Sequence, residues 1–437
     1  MIKKFIVFCL CTLLIGISAN AKITELSYVE SFTDSKVVNY NIINMGWVEE
    51  INGVKILHLN GSFYDMGYQL GYFLKYEILR NLRGFGLSDI ESELWNIQKN
   101  YTSPEIVDYI QGTADAIGLS FDDVGCIWIW EKNCSLHCSS VIADGPATKS
   151  NEIIHVYSLD FPVRPKDPIT GLCVLDDPVL IVAKPDNGYA FMYPTFAGYV
   201  VESGVNEMGI AISNTASPCK DNNKHGAPVG MRVFEVLFHA SNIEEALDIA
   251  NQNKTFGYNF LISDVNKNVG YVLEQTANLS ILTMWNDTNE SKHPFYQLNH
   301  IIRRTNCFIN PEAATTQRRY YNLKDIRYFL EGNPWQMFEW VRYKAISRAY
   351  KDPDYVGELE LYNALKLINS VYEGYHGGLV WFIYKNLLAT NFISWYQWSY
   401  SPKTGDMLIC YASKDKEASE NPIHHFNLYE LLEEKTT

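Results

Sequence analysis

Downstream of Cys138 the chain is cut into short apolar runs at 139–143, 153–159, 179–183, 199–203 and 209–213, each five to seven residues long. Turn formers close them: Asp144-Gly145-Pro146, Lys149-Ser150-Asn151 and Asn206-Glu207. Runs of that length with those closers predict strands. Two hairpins are predicted further on, 259–264 with 269–274 and 392–399 with 406–412. Helical spacing opens the chain instead. Ser62 is a predicted N-cap with Asp65 in the first turn, followed by Phe63, Met66, Leu70, Phe73, Leu74 and Ile78. Gly67 and Gly71 within that helix each cost about 1 kcal/mol against Ala, which predicts close packing there. Further helices are predicted at 103–117 with Gly118 as the stop, at 229–251 with a second cap at Asn242, and at 316–330 and 359–369. With 437 residues, 47% of them apolar, the chain can bury a sizeable core. No repeat or linker divides it. The reading is one large α+β unit.

Lys3 and Lys4, an apolar run at 5–17 and Ser18-Ala19-Asn20-Ala21 read as a signal peptide of residues 1–21. That run is too short to span a membrane, and no later stretch reaches the required length. A secreted or secretory-pathway protein with no membrane span is expected, in the lysosomal lumen, the periplasm or the exterior depending on the cell. Seven N-x-S/T sequons, at Asn60, Asn100, Asn133, Asn253, Asn278, Asn286 and Asn289, would make it a glycoprotein in a eukaryote. The net charge of −14 repels phosphate backbones and excludes nucleic acid as a partner. Of nine cysteines, Cys9 and Cys11 leave with the leader and seven remain. If the others pair in an oxidising compartment, at least one thiol is left over. No metal set or phosphate-binding loop occurs, and His424-His425 is a lone doublet. No cofactor is expected.

A cysteine heads the strand at 139–143, and the return strand ends in Leu159-Asp160-Phe161. Cys138 and Asp160 are 22 residues apart, so a hairpin returns the aspartate to the cysteine. If the chain were cut before Cys138, that residue would carry a thiol and an α-amine of reference pKa about 7.7 to 8.0, a nucleophile and a base together. Cys138-Ser139-Ser140, Ala143, Gly145, Ala147-Thr148-Lys149, Ile154-His155 and Leu159-Asp160-Phe161 follow one register. That register resembles the opening of the mature chain in the penicillin acyltransferase and choloylglycine hydrolase superfamily of N-terminal-nucleophile hydrolases, its acyltransferase branch above all. Four more blocks resemble it in order. They are the 60–71 stretch, the 204–215 hairpin, Gln297-Leu298-Asn299-His300 as a T-N-H element, and the 316–323 helix start.

The resemblance implies a four-layer αββα sandwich. It also implies self-cleavage between His137 and Cys138, leaving residues 22–137 bound as a small subunit to a catalytic domain of 138–437. Cys138 would attack a linear amide of a small N-acyl compound, form a thioester and release it to water or an acceptor amine. Asp160 would orient the α-amine, Asn214 would donate to the oxyanion, Asn299 would position the amine and Arg319 would hold the Asp160 region. Tyr157 stands where the family usually has arginine, and with Phe196 it is a candidate for the substrate pocket. Cys134 is the competing thiol, disfavoured by the register. Alternatives on the same fold are an acid-ceramidase-like or N-acylethanolamine-like lipid amidase, a phospholipase-B-like esterase, and a catalytically inactive binding protein.

Overall fold

The computed structural model describes residues 46–87, 89–133, 138–161, 163–292, 295–317, 334–371 and 393–433. The leader expected at 1–21, His137, Cys134 and Arg319 lie outside them. In chain order the strands are β1 (Trp47–Ile51), β2 (Val54–Gly61), β3 (Ser139–Ala143), β4 (Ile154–Phe161), β5 (Pro178–Pro185), β6 (Phe191–Phe196), β7 (Ser203–Asn206), β8 (Ile210–Ala216), β9 (Tyr258–Asp264), β10 (Val269–Gln275), β11 (Ser280–Thr283), β12 (Ile301–Arg304), β13 (Ile393–Ser401), β14 (Asp406–Tyr411) and β15 (His424–Asn427). The longer helices are α1 (Phe63–Phe73), α2 (Lys75–Phe85), α3 (Asp89–Gln98), α4 (Pro104–Ile117), α5 (Val229–His239), α6 (Ile243–Ala250), α7 (Pro334–Ala349) and α8 (Leu361–Asn369).

The strands form two sheets. One has nine strands in the order β1-β2-β5-β6-β7-β8-β9-β10-β11, and the other has six in the order β12-β3-β4-β13-β14-β15. Their facing sides meet through β3 against β8 and β9. Helices α1, α5 and α6 cover the outside of the larger sheet, while α7 and α8 cover the smaller. The layers are helix, sheet, sheet, helix: an αββα sandwich of the α+β class.

Local chemistry explains most of the elements. Ser62 Oγ accepts the Asp65 amide at 3.2 Å and Asp65 Oδ2 accepts the Ser62 amide at 3.1 Å, a reciprocal cap on α1. A Cβ on Gly67 would lie 2.0 Å from Tyr109 O, and one on Gly71 would lie 2.7 Å from the Ala116 methyl. The two glycines are therefore the contact face on which α4 packs. Gly118, at φ 82°, ends α4 in the left-handed conformation. The block at 229–251 divides into α5 and α6, with Asn242 accepting from the Glu245 amide at 3.0 Å.

The strand expected at 199–203 does not form. Thr195 Oγ1 donates to the carbonyls of Tyr199 and Val200, each at 3.2 Å, so those groups serve a loop, and β7 starts only at Ser203. A short helix at Pro311–Thr316 closes where the helix expected at 316–330 was to start, Gln317 pairs in a bridge with Cys219, and 318–330 lies outside the described residues.

The segment before Cys138 is part of the sandwich. β2 pairs in parallel with β5, from Lys55 against Val179 to Gly61 against Pro185. Arg83 grips Asp167 through Nε and Nη2, both at 2.9 Å, and Arg80 pairs with Asp177. The Asp167 carboxyl is held well below the usual carboxylate range by the Arg83 guanidinium. Among the described residues no helix is long and apolar enough to cross a membrane.

Candidate active site

The β3–β4 hairpin sets the geometry. Ser139 pairs with Ser158 and Ser140 with Tyr157, so Cys138 comes opposite Leu159 and beside Asp160. Side chains alternate along a strand. Ser139, Ser158 and Asp160 therefore share the face toward α7, while Cys138, Ser140 and Tyr157 share the face toward the larger sheet. Opposite Asp160 the partner strand β13 carries a bulge between Ser394 and Tyr396. Bulges re-aim side chains and recur at active sites.

Cys138 is 1% exposed. Burial, and secondarily the Asp160 charge, push its thiol up to about 12; a hydrogen bond from Tyr157, the Asp160 amide and the Arg342 charge oppose them. In the uncut chain the thiol is thus protonated at neutral pH and needs a base. Tyr157 is fully buried, against Tyr396 and Trp398 with ring centres 6.0 Å away in each case. It lies on the same face of the hairpin as Cys138 and carries no charge, where the resembled family has a cation.

On the other face the central group is Arg342, on α7. Its Nη2 donates to Ser139 Oγ at 2.7 Å and to Asp160 Oδ2 at 3.1 Å. Its Nη1 donates to Asn306 Oδ1 at 3.0 Å and to Glu339 Oε2 at 2.9 Å. Ser158 Oγ donates to Asp160 Oδ1 at 2.6 Å. Both carboxylate oxygens of Asp160 are thus held, and its charge is balanced in a dry site.

Asn306 is the buried amide that the sheet register brings level with Cys138. β12 runs antiparallel to β3 with Arg304 opposite Ser140, which carries Asn306 to the level of Cys138. Its Nδ2 donates to Ala216 O at 2.7 Å. The strand leading to it is fixed by buried ion pairs, Arg304 Nε with Glu274 at 2.9 Å and Arg303 Nη1 with Glu290 at 2.9 Å.

The other residues singled out from the sequence fall elsewhere. Asn299 is exposed and precedes the end of β12 that pairs with Ala143, five residues along β3 from Cys138 or roughly 17 Å. The asparagine that the β12–β3 register brings level with Cys138 is Asn306, seven positions later and preceded by Thr305. Asn214 is buried, but its side-chain amide donates to Glu202, to the carbonyl at 2.8 Å and to Oε2 at 3.1 Å. Its neighbours Ser213 and Thr215 point to the smaller sheet, so Asn214 points away from it. Arg319 lies outside the described residues; among the described residues the guanidinium that holds Asp160 is that of Arg342. No spacing signal pointed to Arg342, since α7 reaches Asp160 by tertiary packing alone. Phe196 packs on Trp395, Tyr396 and Tyr411, at 5.7, 6.5 and 5.8 Å between ring centres. The six described cysteines, Cys126, Cys138, Cys173, Cys219, Cys307 and Cys410, are all buried, and no disulfide joins any two of them. Among the described residues no cluster fit for a metal occurs.

His155 bridges the sheets, with Nε2 2.8 Å from Ser213 Oγ and Nδ1 3.0 Å from Ser263 Oγ. Burial lowers its pKa to about 3, so it is neutral and structural.

Residues 170–327 match the family described as acyl-coenzyme A:6-aminopenicillanic acid acyl-transferase. That segment contains Asn214 and Asn306 and begins after Cys138 and Asp160. An uncharacterized protein of Archaeoglobus fulgidus is 22% identical over 253 residues, covering 48% of this chain and 41% of its own. The chain thus spans less than half the length of that relative. A conjugated bile acid hydrolase mutant from Clostridium perfringens has 15% identity and a TM-score of 0.39, covering 67% of this chain and 93% of that one. Penicillin V acylase from Agrobacterium tumefaciens has 13% identity and a TM-score of 0.38, covering 67% and 86%. Through residues 170–327 the chain is similar to the penicillin acyltransferases, the branch of the N-terminal-nucleophile hydrolases that its sequence blocks resemble.

Proposed function

We propose that this protein is an acyltransferase or amidohydrolase that is cut in front of Cys138 and uses the Cys138 thiol to attack a linear amide of a small N-acyl compound. The observation that carries this reading is the placement of Cys138. It heads β3 beside Asp160 and on the face of the hairpin that Tyr157 shares, and Asp160 is locked by Arg342 and Ser158. A thiol pushed up to about 12 is inert as it stands. Cleavage would add an α-amine at the same residue, beside the Asp160 region, with a pKa near neutrality. That amine takes the thiol proton as sulfur attacks the carbonyl carbon. It returns the proton to the leaving nitrogen as the amide bond breaks. Water or an acceptor amine then releases the acyl group from the thioester. The segment before the cut stays bound as a second subunit, a role supported by its β2 strand and its two arginine pairs. Entry into the secretory pathway through residues 1–21 belongs to the same proposal.

Intact-mass measurement and N-terminal sequencing of the purified protein test it. A chain starting at Cys138 is expected, with cleavage and acyl-anilide turnover both absent from Cys138→Ala. Active protein holding only an uncut chain would reject the processing step. Turnover persisting in Cys138→Ala would reject the nucleophile.

A further inference from the structure

β12 ends at Arg304, opposite Ser140 of β3, and from Thr305 to Asn310 the chain takes no strand conformation. Asn306 lies in this strip. Buried backbone groups outside a ladder need other partners, and three neighbouring strands of the larger sheet supply them. Thr215 of β8 pairs with Asn259 of β9, and Asn259 pairs with Glu274 of β10, so the three side chains form one row on a single face of that sheet. All three are fully buried.

Each member of the row grips the strip. Asn259 Nδ2 donates to Thr305 O at 3.0 Å and to Cys307 O at 3.2 Å, the two carbonyls that flank Asn306. It also meets Thr215 Oγ1 at 3.0 Å and Ser217 Oγ at 2.9 Å. Thr215 Oγ1 donates to Thr305 O at 2.9 Å. Glu274 accepts the amides of Ile309 and Asn310, each at 3.0 Å, and Arg304 Nε at 2.9 Å. Carbonyls only accept, so those of Thr305 and Cys307 set the Asn259 amide with its nitrogen toward the strip.

We propose that Asn259 is a positioning residue for Asn306: by holding the carbonyls on both sides of it, the Asn259 amide fixes the backbone that keeps the Asn306 side chain level with Cys138. This rests on the amide-cleaving reading above and adds to it a residue that acts through another. The contacts of Asn306 with Ala216 O and Arg342 set how its amide is turned. Asn259 sets where that amide starts from. Misplacing an oriented group by about 1 Å costs on the order of 100-fold in rate. With Thr215 and Glu274 still in place, losing Asn259 is expected to cost about tenfold.

Turnover of butanoyl and phenylacetyl p-nitroanilides by the processed protein tests this, with kcat referred to the amount of the chain starting at Cys138 read by intact mass. Asn259→Ala should lower kcat about tenfold and leave KM within about twofold, because the lost alignment is felt in the transition state. In an Asn306→Ala background the same substitution should change kcat less than about twofold, since a residue that acts through Asn306 has nothing left to position. Asn259→Ser keeps one donor and should recover part of the loss. Tested in both backgrounds, it also covers the case in which the alanine variant does not fold. Equal losses in the two backgrounds, or parental kcat in Asn259→Ala, would overturn the positioning role and keep the amidase. Parental protein with no Cys138-dependent turnover would overturn the amidase reading instead.

Discussion

Two asparagines separate what the sequence pattern suggests from what the packing provides. Asn299 sits in a plausible motif and is exposed. Asn306 is 2% exposed, donates to Ala216 and accepts from Arg342. Removing an exposed side chain changes little, whereas removing a buried amide leaves its partners unsatisfied. Asn299→Ala is therefore expected to stay within roughly twofold of the parent in turnover. Asn306→Ala should lose on the order of 100-fold, the scale of one lost oriented donor. Steady-state assays beside melting curves check both. Equal activity in the two variants would remove Asn306 from the site. Tyr157 is the other instructive residue. It is fully buried on the face of β4 opposite Asp160, the face that Cys138 shares. An arginine introduced there would bury a charge beside Tyr396 and Trp398, at a cost of several kcal/mol.

At the scale of elements, the two sheets are held together by hydroxyl and imidazole contacts as well as by apolar packing. Ser140 of β3, His155 of β4, Ser213 of β8 and Ser263 of β9 form one buried chain of hydrogen bonds. The His155 pKa is lowered to about 3 by burial, from an ordinary value of 6.5. The unfolded chain therefore binds this proton more readily than the folded one. The contribution of His155 is present in full above pH 6.5 and is lost as the pH falls toward 3, with a slope of about 1.4 kcal/mol per pH unit within that window. Replacing it in His155→Gln keeps a side chain able to bond both serines and removes the titration. The melting temperature of the variant is expected to fall less steeply between pH 6 and 4 than that of the parent. Parallel curves would show that other groups govern the acid limb.

For the whole molecule, the two sides of Cys138 form one body. β1 and β2 extend the larger sheet past β5, and α1 packs on β2 and β5. The Arg83–Asp167 pair is bidentate and Asp167 is held well below its ordinary range, so this brace is present at neutral pH and weakens only as the pH falls below the usual aspartate range. After cleavage the two chains are expected to co-elute. Arg80→Ala combined with Arg83→Ala should lower the urea concentration at which they separate, as read by size exclusion. Dissociation of the parent in plain buffer would contradict a stable two-chain body.

Read alone, the sequence determined the pieces whose causes are local. The cap at Ser62, the stop at Gly118, the cap at Asn242, the β3–β4 hairpin and the juxtaposition of Cys138 with Asp160 follow from turn chemistry and from side-chain period over a few residues. The glycines at 67 and 71 announced a close contact without naming α4 as the partner. What joins distant segments was decided only by the tertiary structure. Arg342 reaches Asp160 across 182 residues of chain, and Asn306 reaches the level of Cys138 only because β12 pairs with β3. The run at 199–203 has strand composition, yet its carbonyls go to Thr195, because the turn at Gly198 brings that hydroxyl within reach. A local pattern records which conformation a segment prefers. It holds no record of which buried charge or amide, contributed from far along the chain, will satisfy it, since that is settled when the sheets close and the remaining polar groups must find partners.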